Sequence, residues 1–191
     1  MNNPTEDAEW ERLRTAIGEF IMRFTLIESV AIPMLIRALG TDNVMIEYAA
    51  ELLTLEQEMM LIRRLCDHYQ ADSDLIDELK AAFKDLRPLQ EFRNEIAHNA
   101  AITNMVGELR SVGVHRPYRK RPLPTFPIND AKDTMRWFES CVHSSADIEK
   151  RTAEAGALFT RLSTLGPRLQ SLPKPIGRLF RLEKPPSDAK T

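Results

Sequence analysis

Glycine is scarce in this chain, with seven among 191 residues and none arranged as a Gly-rich phosphate loop. Dinucleotide and P-loop nucleotide sites are therefore not expected. Cysteine is scarcer still. Cys66 and Cys141 stand far apart, which argues against both a disulfide framework and a cysteine zinc site. Two reduced thiols suit a cytoplasmic protein. No apolar run approaches the roughly 20 residues that a membrane-spanning helix needs. The opening MNNPTEDAEWER is polar and acidic, unlike a secretory signal. These absences leave a helical protein of the cytoplasm as the expectation.

The length suits one domain with a sizeable core. Hydrophobic residues at 43% and charged residues at 28% are the balance of an ordinary soluble chain. The net charge of −2 conceals an asymmetry. Through Glu108 there are 10 Lys/Arg against 20 Asp/Glu, and after it 16 against 8. Between Glu108 and Asp130 no acid occurs, while Arg110, Arg116, Arg119, Lys120 and Arg121 lie there with Tyr118. Such a basic segment on an acidic body can attract a polyanion locally, although a solvated loop has the same composition.

Periodicity supplies the fold class. Asn3 and Pro4 open a first helix whose apolar positions run Trp10, Leu13, Ile17, Phe20, Ile21, Phe24, Ile27, Val30 and Ala31 at 3/4 spacing. Pro33 is expected to kink it, and Gly40 to end it in a left-handed conformation. A second helical stretch begins near Asp42. Within it Thr54 to Gln57 has the form of a capping box, marking a helix that runs to about Tyr69. Asp72 or Ser73 caps a third, with a seam through residues 75, 79, 82, 86, 89, 93 and 96 and a kink or break at Pro88. Residues 105–127 hold two glycines and four prolines and read as a long loop with a short β-hairpin. Asn129 or Asp130 caps a last helix to about Leu165, weakest at HSSAD, residues 143–147. The expected fold is an all-α, up-and-down bundle over residues 1–165 with a loop insertion at 105–128. Residues 166–191 read as a mobile, Pro-rich basic tail.

One stretch asks for more than packing. In EFRNEIAHNA, residues 91–100, Arg93 falls on the seam, where a desolvated guanidinium needs a partner. Glu28, on the stripe of the first helix, is the structural candidate, and an ion pair between the two would explain Arg93 without chemistry. It leaves His98 unexplained. Asn94 and His98 stand at i and i+4, so the amide can bond the imidazole and set its tautomer.

The run Arg93-Asn94-Glu95-Ile96-Ala97-His98 resembles the R-x(4–6)-H motif of the HEPN superfamily, in which a polar residue, commonly asparagine, follows the arginine. The long basic loop after the motif and the Pro-rich tail depart from that pattern. The resemblance implies metal-independent RNA cleavage by a homodimer whose motifs meet in a shared cleft, with Arg93, Asn94 and His98 catalytic and no cofactor. It also implies, by analogy, a toxin or defence role with an antitoxin or other protein partner. The chemistry stands independently. RNA carries its own nucleophile, the 2′-OH, so an enzyme need only move protons and neutralise charge. A histidine of pKa about 6.5 can accept the 2′-OH proton or supply one to the leaving 5′-oxygen. An arginine can hold the phosphorane oxygens through its planar fork.

A second function class stays open: a non-catalytic helical dimer that binds RNA or a protein through the basic 110–121 segment. A metal nuclease is not expected, because Glu91 and Glu95 read as solvated helix-face carboxylates. His68, His115 and His143 read as isolated surface or loop residues. Met34, Met45, Met59 and Met60 read as core filler.

Overall fold

A computed structural model describes residues 4–40, 48–49, 51–99, 101–106, 109–116 and 131–172. Among them are five helices: α1 (Pro4–Leu39), α2 (Leu55–His68), α3 (Ser73–His98), α4 (Ala131–Ser140) and α5 (Ser145–Gln170). Three short strands, β1 (Ala101–Val106), β2 (Leu109–His115) and β3 (Val142–His143), form one small sheet. The fold is an all-α helical bundle carrying that sheet. By contacts the chain divides into two compact units, Met1–Val30 with Ala81–Ser163, and Ala31–Lys80 with Thr164–Thr191.

In the first unit the core follows the helical period. Leu13, Ala16, Phe20, Phe24 and Ile27 of α1 are buried, as are Ala82, Leu86, Leu89, Phe92 and Ile96 of α3 and Ile148, Ala155, Leu158 and Leu162 of α5. Each large apolar side chain so buried contributes about 1.5–3 kcal/mol. The α3 seam passes through Phe92 and not Arg93, one residue from the expected register, because the aromatic ring is the better core filler. Ion pairs on the rim, Arg12 to Glu149 at 2.8 Å and Arg161 to Asp85 at 3.1 Å, are exposed and add little.

β1 and β2 form an antiparallel hairpin from Ala101 opposite Val114 to Val106 opposite Leu109. It starts four residues before the expected loop, directly after α3. A third strand joins it, with Val114 opposite His143 and His115 opposite Val142. That strand divides the expected last helix at its anticipated weak point. Ser144 and Asp147 then restart it reciprocally: Ser144 N donates to Asp147 Oδ2 at 3.0 Å, and Asp147 N to Ser144 Oγ at 3.2 Å. Burial raises the Asp147 carboxyl, but the Ser144 hydrogen bonds, Arg116 and His143 together bring it below the ordinary value.

The second unit is built from Ala31, Met34, Leu35 and Ala38 of α1, Leu55, Met59, Ile62 and Cys66 of α2, Leu75 and Leu79 of α3, and Leu165 and Leu169 of α5. The capping box forms as read, Thr54 N donating to Gln57 Oε1 at 2.8 Å and Gln57 N to Thr54 Oγ1 at 3.3 Å. Gly40 sits at φ 63°, left-handed, with its N–H on Ile36 O at 3.0 Å. Asp72 is the α3 cap, accepting from Leu75 N at 2.7 Å. Burial, with Asp67 and Asp72 nearby, pushes the Cys66 thiol up to about 11, so it is an inert core group and not a nucleophile. Met34 and Met59 are core as expected, whereas Met60 is exposed.

Two expectations on boundaries change. Pro88 lies inside α3 without ending it, and α5 runs through Gly166 and Pro167 to Gln170, past the expected Leu165. Burial of Leu86 and Leu89 around one proline, and of Leu165 and Leu169 around the other, offsets the lost backbone bonds. The caps expected at Asn3, Asn129 and Asp130, most of the stretch after Asp42, Met45 and the tail from residue 173 lie outside the described residues.

Gly113 brings β2 against β3. A Cβ there would stand 2.8 Å from His143 O and 2.9 Å from Val142 Cβ, and the first contact is backbone that cannot swing aside. Gly113→Ala is expected to lower stability by about 1–3 kcal/mol, the usual range for overpacking. Urea unfolding of the two proteins measures it; an unchanged midpoint would show that the strands do not need the close approach.

Candidate functional site

The motif is the last turn and a half of α3. Asn99 closes it, its backbone N–H (3.1 Å) and its side-chain Nδ2 (2.7 Å) both donating to Glu95 O. With 100° between successive residues, the turn sorts its side chains. Phe92, Glu95 and Ile96 are buried, Asn94, Ala97 and His98 are exposed, and Arg93 is half-buried at the boundary.

Arg93 does not find the expected carboxylate. Glu28 is half-buried on α1, yet among the described residues no ion pair joins it to Arg93. The guanidinium Nη1 instead donates to the neighbouring Asn94 Oδ1 at 3.4 Å, a long bond to a neutral group. That contact occupies the Asn94 carbonyl oxygen. The expected hydrogen bond from Asn94 to His98 does not form among the described residues.

The buried side of the turn holds what the sequence reading missed. Glu95, read as solvated charge, is 9% exposed, and His143, read as a surface or loop residue, is 7% exposed. Glu95 Oε2 and His143 Nε2 are 2.8 Å apart. With Glu95 ionised the carboxylate can only accept, and the imidazole then carries its proton on Nε2 and donates it. Burial moves the His143 pKa below 6.5; the Glu95 hydrogen bond opposes this less strongly, and the Arg116 charge adds to the lowering. His143 is accordingly neutral at pH 7. Its ring meets Phe92 edge-on at 4.7 Å between centroids, and Phe92 meets Phe20 in the same manner at 5.1 Å. The Arg151 guanidinium lies 5.6 Å from the Phe92 centroid, within cation–π range. One signal could have found His143: Ser144 to Asp147 has the S-x-x-D form of a helix start. The residue before such a cap is one that commonly turns inward against the fourth helical position. That position is Ile148, fully buried.

The basic segment divides. Arg116 is half-buried and tied to the sheet edge, its backbone N donating to Cys141 O at 2.9 Å and Nε to Val142 O at 3.2 Å. Arg110 belongs to β2, but its side chain, like Tyr118, Arg119, Lys120 and Arg121, lies outside the described residues. So does the side chain of His115. His68, in the second unit, stacks edge-on with Tyr69 at 5.2 Å. A cleft of about 380 Å³ along α3 and α5 is lined by Leu89, Arg151 and Arg161, whose guanidiniums are engaged by Glu154 and Asp85.

Among the described residues no group of three or more His, Cys, Asp or Glu side chains could hold a metal ion, and no helix is long and apolar enough to cross a membrane. Comparison with known protein families, with curated proteins and with solved structures finds no match.

The Glu95–His143 pair makes stability depend on pH in a stated direction. With the folded-state pKa of His143 below its unfolded value of about 6.5, the unfolded chain takes up the proton first as pH falls. The contribution is therefore complete above about pH 6.5 and is lost as pH falls through the folded value. His143→Gln is expected to retain the donor to Glu95 and to flatten that part of the stability–pH curve. His143→Ala removes the imidazole donor from the buried Glu95 carboxylate and is expected to cost about 3 kcal/mol. Urea titrations from pH 5 to 8 test both; a wild-type slope identical to that of His143→Gln would mean that His143 is not buried neutral.

Proposed function

We propose that the chain is a metal-independent endoribonuclease of HEPN type acting through Arg93, Asn94 and His98. The supporting observation is the state of Arg93. It is half-buried, has a neutral amide as its partner, and lacks the carboxylate that would have explained it as a structural ion pair. A permanent cation so placed suits an anion supplied from outside, and a phosphodiester has the oxygens to take a bidentate fork.

In this reading Arg93 neutralises the charge that develops on the phosphorane, and Asn94 steadies the guanidinium. His98, exposed on the same turn, exchanges protons with the 2′-OH or the leaving 5′-oxygen. Each chain carries one such histidine, so a two-fold dimer supplies the acid and the base separately. The products are a 2′,3′-cyclic phosphate and a 5′-OH. Arg110, Tyr118, Arg119, Lys120 and Arg121 are proposed to hold the RNA strand by charge and stacking. The rival reading, a non-catalytic helical dimer that binds RNA or protein, is favoured by the missing Asn94–His98 bond.

Cleavage of a mixed single-stranded RNA in EDTA separates the two. Wild type is expected to cut it and to leave the 2′-deoxy analogue intact. His98→Ala, folded by circular dichroism, is expected to lose about 10²–10⁴-fold in rate. Arg93→Lys keeps the charge, loses the fork and is expected to fall similarly. Equal cutting by wild type and His98→Ala, or no cutting of a broad RNA panel, rejects the nuclease and leaves the binding module.

A further inference from the structure

Pro88 stands inside α3, where a proline is costly, and yet it is exposed and belongs to no core. It also leaves the Lys84 carbonyl without its helical N–H donor. Its ring is instead one lip of the cleft between α3 and α5. The other lip is Ala157, also exposed, and the floor is Leu89 and Leu158, both buried. The whole cleft lies within the first unit. At about 380 Å³ it has the size of a small-ligand site.

Charge is confined to the two ends of the cleft. At one end Arg161 of α5 reaches across to Asp85 of α3 at 3.1 Å. At the other, Arg151 Nη1 donates to Glu154 Oε2 at 2.7 Å, both residues half-buried on α5. This second pair has capacity left over. Among the described residues Glu154 Oε1 accepts no hydrogen bond, and Arg151 donates no other, lying only over the Phe92 ring. A carboxylate with a spare acceptor therefore stands beside a guanidinium with spare donors, next to an apolar slot.

We propose that this cleft takes a guanine base. The bases differ in how donors and acceptors follow one another along their edges. Guanine sets two adjacent donors, N2–H and N1–H, beside two acceptors, O6 and N7. Glu154 accepts from the donors and Arg151 donates to the acceptors, so the pair meets a complementary edge without being broken. Adenine, cytosine and uracil lack the adjacent N–H pair and turn a ring nitrogen or carbonyl acceptor toward the ionised carboxylate. The flat ring lies between Pro88 and Ala157 over the leucine floor, an apolar contact that favours every base alike. Preference therefore resides in Glu154 and Arg151.

The same edge is carried by a free guanine nucleotide and by guanosine within a strand. The strand as its source rests on the nuclease reading. From Pro88 to His98 the helix rises about 15 Å and turns through about 80° net. A strand with guanosine in the cleft then reaches the motif turn a few nucleotides further on.

Isothermal titration calorimetry of the full chain with nucleotides reads the cleft without reference to cleavage. Guanosine 5′-monophosphate is expected to bind at least about tenfold tighter than the adenosine, cytidine and uridine monophosphates. Inosine 5′-monophosphate, which lacks the N2 amine, is expected to be weaker than the guanosine compound by a similar factor. Glu154→Gln keeps the shape of the side chain, replaces an acceptor with a donor and is expected to abolish the preference. Ala157→Phe, at an exposed position, fills the slot and is expected to do the same. Circular dichroism checks that each variant folds. A fluorescent oligouridylate with one central guanosine, set against plain oligouridylate, identifies the source. A guanosine preference in the strand assigns the cleft to RNA; a preference among mononucleotides alone assigns it to a free guanine nucleotide. No guanine preference in either format, or one that survives Glu154→Gln or Ala157→Phe, overturns the site. Guanine binding by a chain that cuts no RNA supports the cleft and rejects only the nuclease.

Discussion

Two ionisable side chains taken out of water together, Glu95 and His143, decide the rotation of α3. Either one alone in that surrounding of Phe92, Ile96 and Val142 would cost several kcal/mol in desolvation. At 2.8 Å, with the imidazole neutral and donating, they satisfy each other. The bond has a direction, so the helix cannot turn about its axis without breaking it. Once Glu95 points inward, the 100° step carries Asn94 and His98 outward and leaves Arg93 at the edge. The arrangement of the motif is thus a consequence of a residue inside the motif that does no chemistry.

The same bond gives a two-residue strand its purpose. β3 is too short to be stable as a sheet element by itself. It is held by Gly113, which permits the close approach of β2, by Arg116 on the Cys141 and Val142 carbonyls, and by the cap at Ser144 and Asp147 that starts α5 directly behind it. The chain leaves Arg116 for the basic segment from this anchored point. The hairpin begins three residues beyond His98, so the sheet ties this anchor to the end of α3.

Much of the helical frame was legible. The 3/4 stripes of α1 and α3, the Thr54–Gln57 box, the left-handed Gly40 and the weakness at HSSAD all follow from local rules, and local rules hold when a helix buries one face. The failures have a common cause, which is that burial of a polar group is a tertiary property. Arg93 was placed on the seam because spacing alone cannot distinguish it from Phe92 beside it, whereas packing can. Glu95 looked like any exposed helical carboxylate until a partner 48 residues away appeared. His143 seemed isolated because its partners lie on α3. Only its place before a helix cap hinted that it turns inward. The third strand was illegible for the same reason, since two residues carry no period.

What remains is a difference between two neighbouring polar residues of one turn. Glu95 is deep, fully directed and paired. Arg93, two residues earlier, has a permanent charge in a half-buried position and receives from the protein only the oxygen of an amide at 3.4 Å. A purely structural arginine at such a boundary gains by meeting a carboxylate, and Glu28 of α1, half-buried and without a charged partner among the described residues, does not meet it. Among the described residues the two do not pair, which leaves the Arg93 fork largely unengaged. In the proposed nuclease an incoming phosphate would therefore have little to break before the new bonds form. Had Glu28 taken it, an anion would first have to displace a carboxylate, and the turn would explain itself without any ligand at all.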